Sequence, residues 1–95
     1  MKTAYELAME RLNKSAPSVR LTDEQKQALA DLDSRYRARV AEREIALQSE
    51  IRQAWERGDA EAAERFEQQL AAERRNLQSE LEEKKEAIRQ TRPGA

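Results

Sequence analysis

Residues 51–66 read Ile51-Arg-Gln-Ala-Trp55-Glu-Arg-Gly58-Asp59-Ala-Glu-Ala62-Ala-Glu-Arg-Phe66, and they decide the fold. Gly58-Asp59 is the only strong punctuation between Thr22 and Thr91. Glycine takes the left-handed backbone conformation that closes a helix. Aspartate is a preferred N-cap, because its carboxylate accepts from the first free amides of the helix that follows. One helix therefore ends at about residue 57, and another starts at about residue 60.

Upstream, nothing breaks the pattern as far as Thr22-Asp-Glu-Gln25, a capping box. There the Thr hydroxyl accepts from the Gln25 amide and the Gln25 side chain reaches back. Asp23 and Glu24 place negative charge at the positive end of the helix dipole. The spacing predicts a helix over about 22–57, a turn at 58–59 and a helix over about 60–91, with a tail at 92–95. A shorter helix is expected over about 3–14. Its apolar face carries Met1, Ala4, Tyr5, Ala8, Met9 and Leu12, with Leu7 off the stripe. Pro17 disfavours helical dihedrals at Ala16, so residues 15–21 read as a loop.

Both long helices carry apolar residues in alternating steps of seven and four. They are Leu29, Tyr36, Val40, Leu47 and Ile51 in one, and Phe66, Leu70, Leu77, Leu81 and Ile88 in the other. A repeat near eleven residues predicts straight or faintly right-handed helices. The stripes are mirror images about Gly58-Asp59. Folding the chain there sets Ile51 against Phe66, Leu47 against Leu70, Val40 against Leu77, Tyr36 against Leu81 and Leu29 against Ile88. Trp55 falls opposite Ala62, beside Ala63. The middle layer is polar, with the diagonals Arg43–Glu73 and Glu44–Arg74 complementary. On the flanks Arg35 matches Glu82, Arg37 matches Glu80 and Glu42 matches Arg75. The expectation is one all-α domain over 1–95: a long antiparallel two-helix hairpin, or coiled coil, with the short N-terminal helix packed near its open end. Ala28 and Leu32 widen the apolar stripe there.

Composition narrows the chemistry. The chain has 95 residues, 18 basic and 19 acidic, with no Cys and no His. That removes disulfides, thiol nucleophiles, zinc fingers and His-based triads. Two glycines cannot build a phosphate-cradling loop. A two-helix rod offers no pocket to desolvate a catalytic carboxylate. No enzyme activity, cofactor, metal or small-molecule substrate is expected. No apolar run approaches the roughly 18 residues of a membrane span, and no targeting segment is visible, so a soluble cytoplasmic protein is expected. Thirteen Arg against five Lys, with sixteen Ala, fit a GC-rich bacterial genome.

Several features are candidates for function. The Arg run at 35, 37, 39 and 43 suggests phosphate contacts, but facing acids and a pI of about 5.6 favour a solvated flank. The cluster Glu80, Glu82, Glu83, Lys84, Lys85, Glu86 reads as a helix surface, with Glu80 and Lys84 spaced to pair. Trp55 reads either as a partner anchor or as a cap on the hairpin core over Ala62 and Ala63. Tyr5, Met9 and Leu12 form a face suited to a partner's groove or to the open end of the hairpin. Ala38, Ala41 and Ile45 lie on the outer face, without a partner in the hairpin.

The segment Ile51-x-x-Ala54-x-Glu56-x-Gly58-Asp59, followed by Phe66, resembles the coiled-coil tip of Gre-type transcript-cleavage factors. The resemblance covers residues 51–66. It implies a hairpin that enters the RNA polymerase secondary channel, with acids at the tip helping to hold a Mg²⁺ ion. Asp59 matches the first acid; Ala62 stands where the second would be, and Arg65 at a further acidic position. More broadly, Ala4-Tyr5-Glu6-Leu7-Ala8-Met9-Glu10-Arg11-Leu12, the Leu21-to-Gln25 helix start and the charged hairpin resemble small uncharacterised bacterial coiled-coil proteins. The reading is a non-catalytic structural or protein-interaction module that forms a homodimer, with Tyr5, Met9, Leu12, Ala38, Ala41, Ile45, Trp55 and Asp59 as partner-binding candidates. The alternative is an RNA polymerase secondary-channel regulator presenting the Gly58-Asp59 tip. A third is a nucleic-acid-binding coiled coil, which the charge balance disfavours.

Overall fold

The structure, a computed structural model, describes residues 3–15 and 20–91, and the side chains of 3–10 and 20–91. Three helices follow one another: α1 (Ala4–Ser15), α2 (Asp23–Glu56) and α3 (Ala60–Gln90). The described residues contain no strand. Each boundary lies within about a residue of the one the sequence predicts. The expected residues Met1 and Pro17, and the tail from Arg92, lie outside the described residues.

The capping box forms as read. Thr22 Oγ1 accepts from the Gln25 amide at 3.0 Å, and Gln25 Oε1 accepts from the Thr22 amide at 2.8 Å. At the far end, the amides of Arg57, Gly58 and Asp59 donate to Gln53, Trp55 and Ala54 carbonyls at 3.1, 3.0 and 2.8 Å. Gly58 has φ 72°. A Cβ added there would meet nothing within 4 Å. The glycine is therefore needed for its dihedral rather than for space, and a left-handed L-residue costs roughly 1–2 kcal/mol.

From this turn α2 and α3 run back against each other in the expected register. Ala54, Ala62 and Ala63 are buried together, with Ile51 and Phe66 packed on them. Tyr36, Leu77 and Leu81 form a second cluster, with Leu32 and Val40 against it. Leu47 and Leu70 are buried in the stretch between. The core is one side chain thick. Each buried leucine in it is worth up to about 1.5–3 kcal/mol.

The polar layer also forms. Arg43 donates to both Glu73 carboxylate oxygens, Nε to Oε2 and Nη2 to Oε1, each at 3.1 Å. Arg74 Nε donates to Glu44 Oε1 at 3.1 Å. The flanking charges pair differently from the expectation. Glu80 takes Arg39 at 3.5 Å rather than Arg37, and Lys85 takes Asp33 at 3.0 Å. Arg37 lies on the opposite flank of α2, among Asp33, Ala41 and Glu44. Arg35–Glu82, Glu42–Arg75 and Glu80–Lys84 do not form ion pairs.

The placement of Trp55 over Ala62 and Ala63 is corrected. Ala54, fully buried, takes that place, and Trp55 is 56% exposed. The reason is helix phase. Ala54 is one heptad on from Leu47 and keeps its meridian, whereas Trp55 is turned about 100° further round, at 3.6 residues per turn.

The open end is closed by Gln25. Its side-chain amide Nε2 donates to the carbonyls of Ile88 at 3.0 Å and Thr91 at 2.7 Å. One buried glutamine thus caps the start of α2 and bonds to carbonyls at the end of α3. The short helix α1 precedes α2 in the chain. Its Tyr5, Leu7 and Met9 remain exposed, so little of its apolar face contributes to the core.

The register makes a direct prediction. With Leu47→Cys and Leu70→Cys in one chain, oxidation should give an intramolecular disulfide, whereas Leu47→Cys with Leu81→Cys should not. Equal crosslinking of both pairs would contradict the register. Urea titration should show either leucine replaced by alanine to cost about 2–5 kcal/mol.

Candidate functional site

The surface of the hairpin is mostly charged, so apolar side chains on it stand out. Ile45 is 71% exposed in the middle of α2, with Ala38 and Ala41 exposed on the same face. Helical phase brings these three together, as the sequence predicts. Trp55 lies further toward the turn, and Tyr5 and Met9 are on α1, apart from that face. The Leu12 side chain lies outside the described side chains. The candidate residues therefore form no single site. They make an outer α2 face, a tip residue and the α1 face.

Two open grooves flank the middle of the hairpin between α2 and α3. One has a volume of 390 Å³ and an apolar floor of Tyr36, Val40, Leu77 and Leu81, with Arg37 and Ala41 on its α2 lip. The other, of 330 Å³, lies on the opposite flank, walled by Arg39, Arg43, Glu73 and Glu80. Tyr36 lies between the helices, 3% exposed. Arg39 and Lys84 stand over its ring, 4.8 and 5.3 Å from the centroid, within reach for cation–π attraction. Its hydroxyl is buried without a hydrogen-bond partner. Sequence reading missed this, because Tyr and Phe are equivalent in a hydrophobic pattern. It also missed the second half of Gln25's role: the capping box was legible, but the reach to α3 depends on the tertiary register.

The tip is a helix junction with its acid in use. Asp59 Oδ1 accepts from the Ala62 amide at 3.0 Å, and Asp59 is half-buried. Two members of the Arg run are held by acids, Arg39 by Glu80 and Arg43 by Glu73. In the C-terminal acidic cluster, hydrogen bonds from Gln90 and then Arg89 hold the Glu86 carboxyl below its ordinary range. These are contacts along one exposed helix face. Among the described residues no group of three His, Cys, Asp or Glu side chains is placed to share a metal ion. Nor is any helix long and apolar enough to cross a membrane.

The class this fold defines is the antiparallel helical hairpin. Comparison with protein-family models, with curated proteins and with solved structures finds no match to the chain.

The geometry of the tip predicts a structural role for Asp59. Replacing it by alanine should cost about 0.5–2 kcal/mol in a thermal or urea titration. The same variant should leave transcript cleavage by RNA polymerase unchanged. A Mg²⁺-dependent cleavage stimulated by the parent protein and lost on Asp59→Ala would show the acid to be functional instead.

Proposed function

We propose that the chain is a non-catalytic protein-interaction module that associates with itself. The observation that carries this reading is Ile45. A large aliphatic side chain lies 71% exposed in mid-rod, flanked by alanines that let another helix come close. Single exposed hydrophobics are ordinary on protein surfaces. This one lies on a hairpin whose core is one side chain thick and leaves half of each helix uncovered. Small chains of that kind gain much of their stability by association.

The polymerase-channel reading draws less support, because the Asp59 carboxylate is engaged in capping α3. The nucleic-acid reading is weakened by a net charge of −1 and by the acids that hold Arg39 and Arg43. The partner is taken to be a protein, and in the first instance a second copy of this chain.

Analytical ultracentrifugation at micromolar concentration tests the proposal. The parent should sediment at about twice its 11.0 kDa chain mass. Ile45→Glu, which brings like charges together in a symmetric contact, should sediment as a monomer with its helicity unchanged. A monomeric parent removes the proposal.

A further inference from the structure

Trp55 stands exposed on the same flank of the hairpin as the open groove floored by Val40, Leu77 and Leu81. We propose that Trp55 of a second copy fills this groove. Two hairpins then pair flank to flank and antiparallel, as a four-helix bundle, about a two-fold axis beside Gln48 and Ala71. This rests on the self-association proposed above and assigns its surface and its anchor.

Helix phase defines the surface. The ion pairs Lys85–Asp33 and Arg74–Glu44 mark this flank on both helices. On α2 it carries Ala41, Gln48, Arg52 and Trp55, in steps of seven, four and three. On α3 it carries Glu67, Ala71 and Arg75, in steps of four. Such steps keep residues on one side of a helix. The Glu44–Arg74 pair sets Gln48 level with Leu70, so Gln48 and Ala71 stand within a residue of the same height along the rod.

Two observations support the assignment. The first is that anchor and groove fit in register. Trp55 and Ala41 stand seven residues either side of Gln48. Reversal about Gln48 therefore lays each Trp55 level with the Ala41 lip of the other copy's groove. The groove is open and holds 390 Å³ over its apolar floor. An indole is 56% exposed without it. Buried aromatic side chains of this kind dominate interface energetics.

The second observation is charge order, which is the same on both helices of this flank. Glu44 and Arg52 stand four residues either side of Gln48. Glu67 and Arg75 stand four residues either side of Ala71. Antiparallel pairing sets each acid of one copy against a base of the other along both seams. Parallel pairing would set every one of these charges against its like. Arg52, Glu67 and Arg75 form no ion pair with the described residues. Glu44 accepts from Arg74 through Oε1. An isologous contact of this kind closes on itself and stops at the dimer.

Trp55 is the chain's one tryptophan, so its fluorescence reports directly on the groove. Emission and sedimentation of the full chain are followed together through a dilution series. The parent should be a dimer whose emission lies at shorter wavelength than the monomer's, the shift tracking association. Trp55→Ala, a change at an exposed position, should keep its helicity and weaken the dimer about thirtyfold or more. Arg75→Glu should weaken it about tenfold, and Glu67→Arg with Arg75→Glu should restore it. A monomeric parent overturns both the self-association reading and this assignment. A dimeric parent whose emission is the same as the monomer's overturns the assignment alone, as does a Trp55→Ala dimer as tight as the parent's. Failure of the double charge reversal to restore the dimer overturns the antiparallel direction.

Discussion

The register of the hairpin is set where the chain reverses, by three alanines packed beside one left-handed glycine. Ala54 and Ala63 are fully buried and Ala62 nearly so. Gly58 turns the backbone between Ala54 and Ala62 with φ 72°. With no side chain larger than a methyl between the backbones at that point, α2 and α3 come together closely and in one phase. Every layer further along inherits that phase. A slip of a single residue would turn the stripe of each helix by about 100°, taking Leu47 and Leu70 out of the seam. Gln25 fixes the other end, more than thirty residues away along α2, by bonding to its own helix start and to the last carbonyls of α3.

Between these ends the core is too thin to be generous. A chain of this size gains only modest stability from one seam of apolar side chains. The ion pairs on its rims add little, since exposed pairs contribute about 0–1 kcal/mol each. Their value lies in specificity. Arg43 with Glu73 and Arg74 with Glu44 match only in the native register, and the stems of these long side chains shield the seam from water. The charges facing α3 are thus largely used within the chain. Those on the outer side of α2 are not, and Ile45 stands among them. That asymmetry between the two sides of one helix gives the functional reading its direction.

The sequence and the structure agree on whatever depends on periodicity or local capping. The mirror-image stripes, the Thr22 box, the Gly58 reversal and the Asp59 cap were all legible, because each follows from the spacing of a few residue types. The misreadings share one physical cause, angular position around a helix. Counting along the chain sets Trp55 against Ala62. At one residue from Ala54 it is instead turned out of the seam. Arg37 and Arg39 are both arginines near Glu80, yet only Arg39 lies on its flank. Gln25's bonds to α3 and the orphaned Tyr36 hydroxyl depend on tertiary placement, and no pattern of hydrophobic residues encodes them.

Dipolar electron–electron resonance on the full chain, with a single spin label replacing Glu61 at the start of α3, measures self-association directly. The self-associating chain should give dipolar modulation at micromolar concentration, with one defined label-to-label distance as a symmetric dimer requires. No dipolar modulation at micromolar concentration would contradict it.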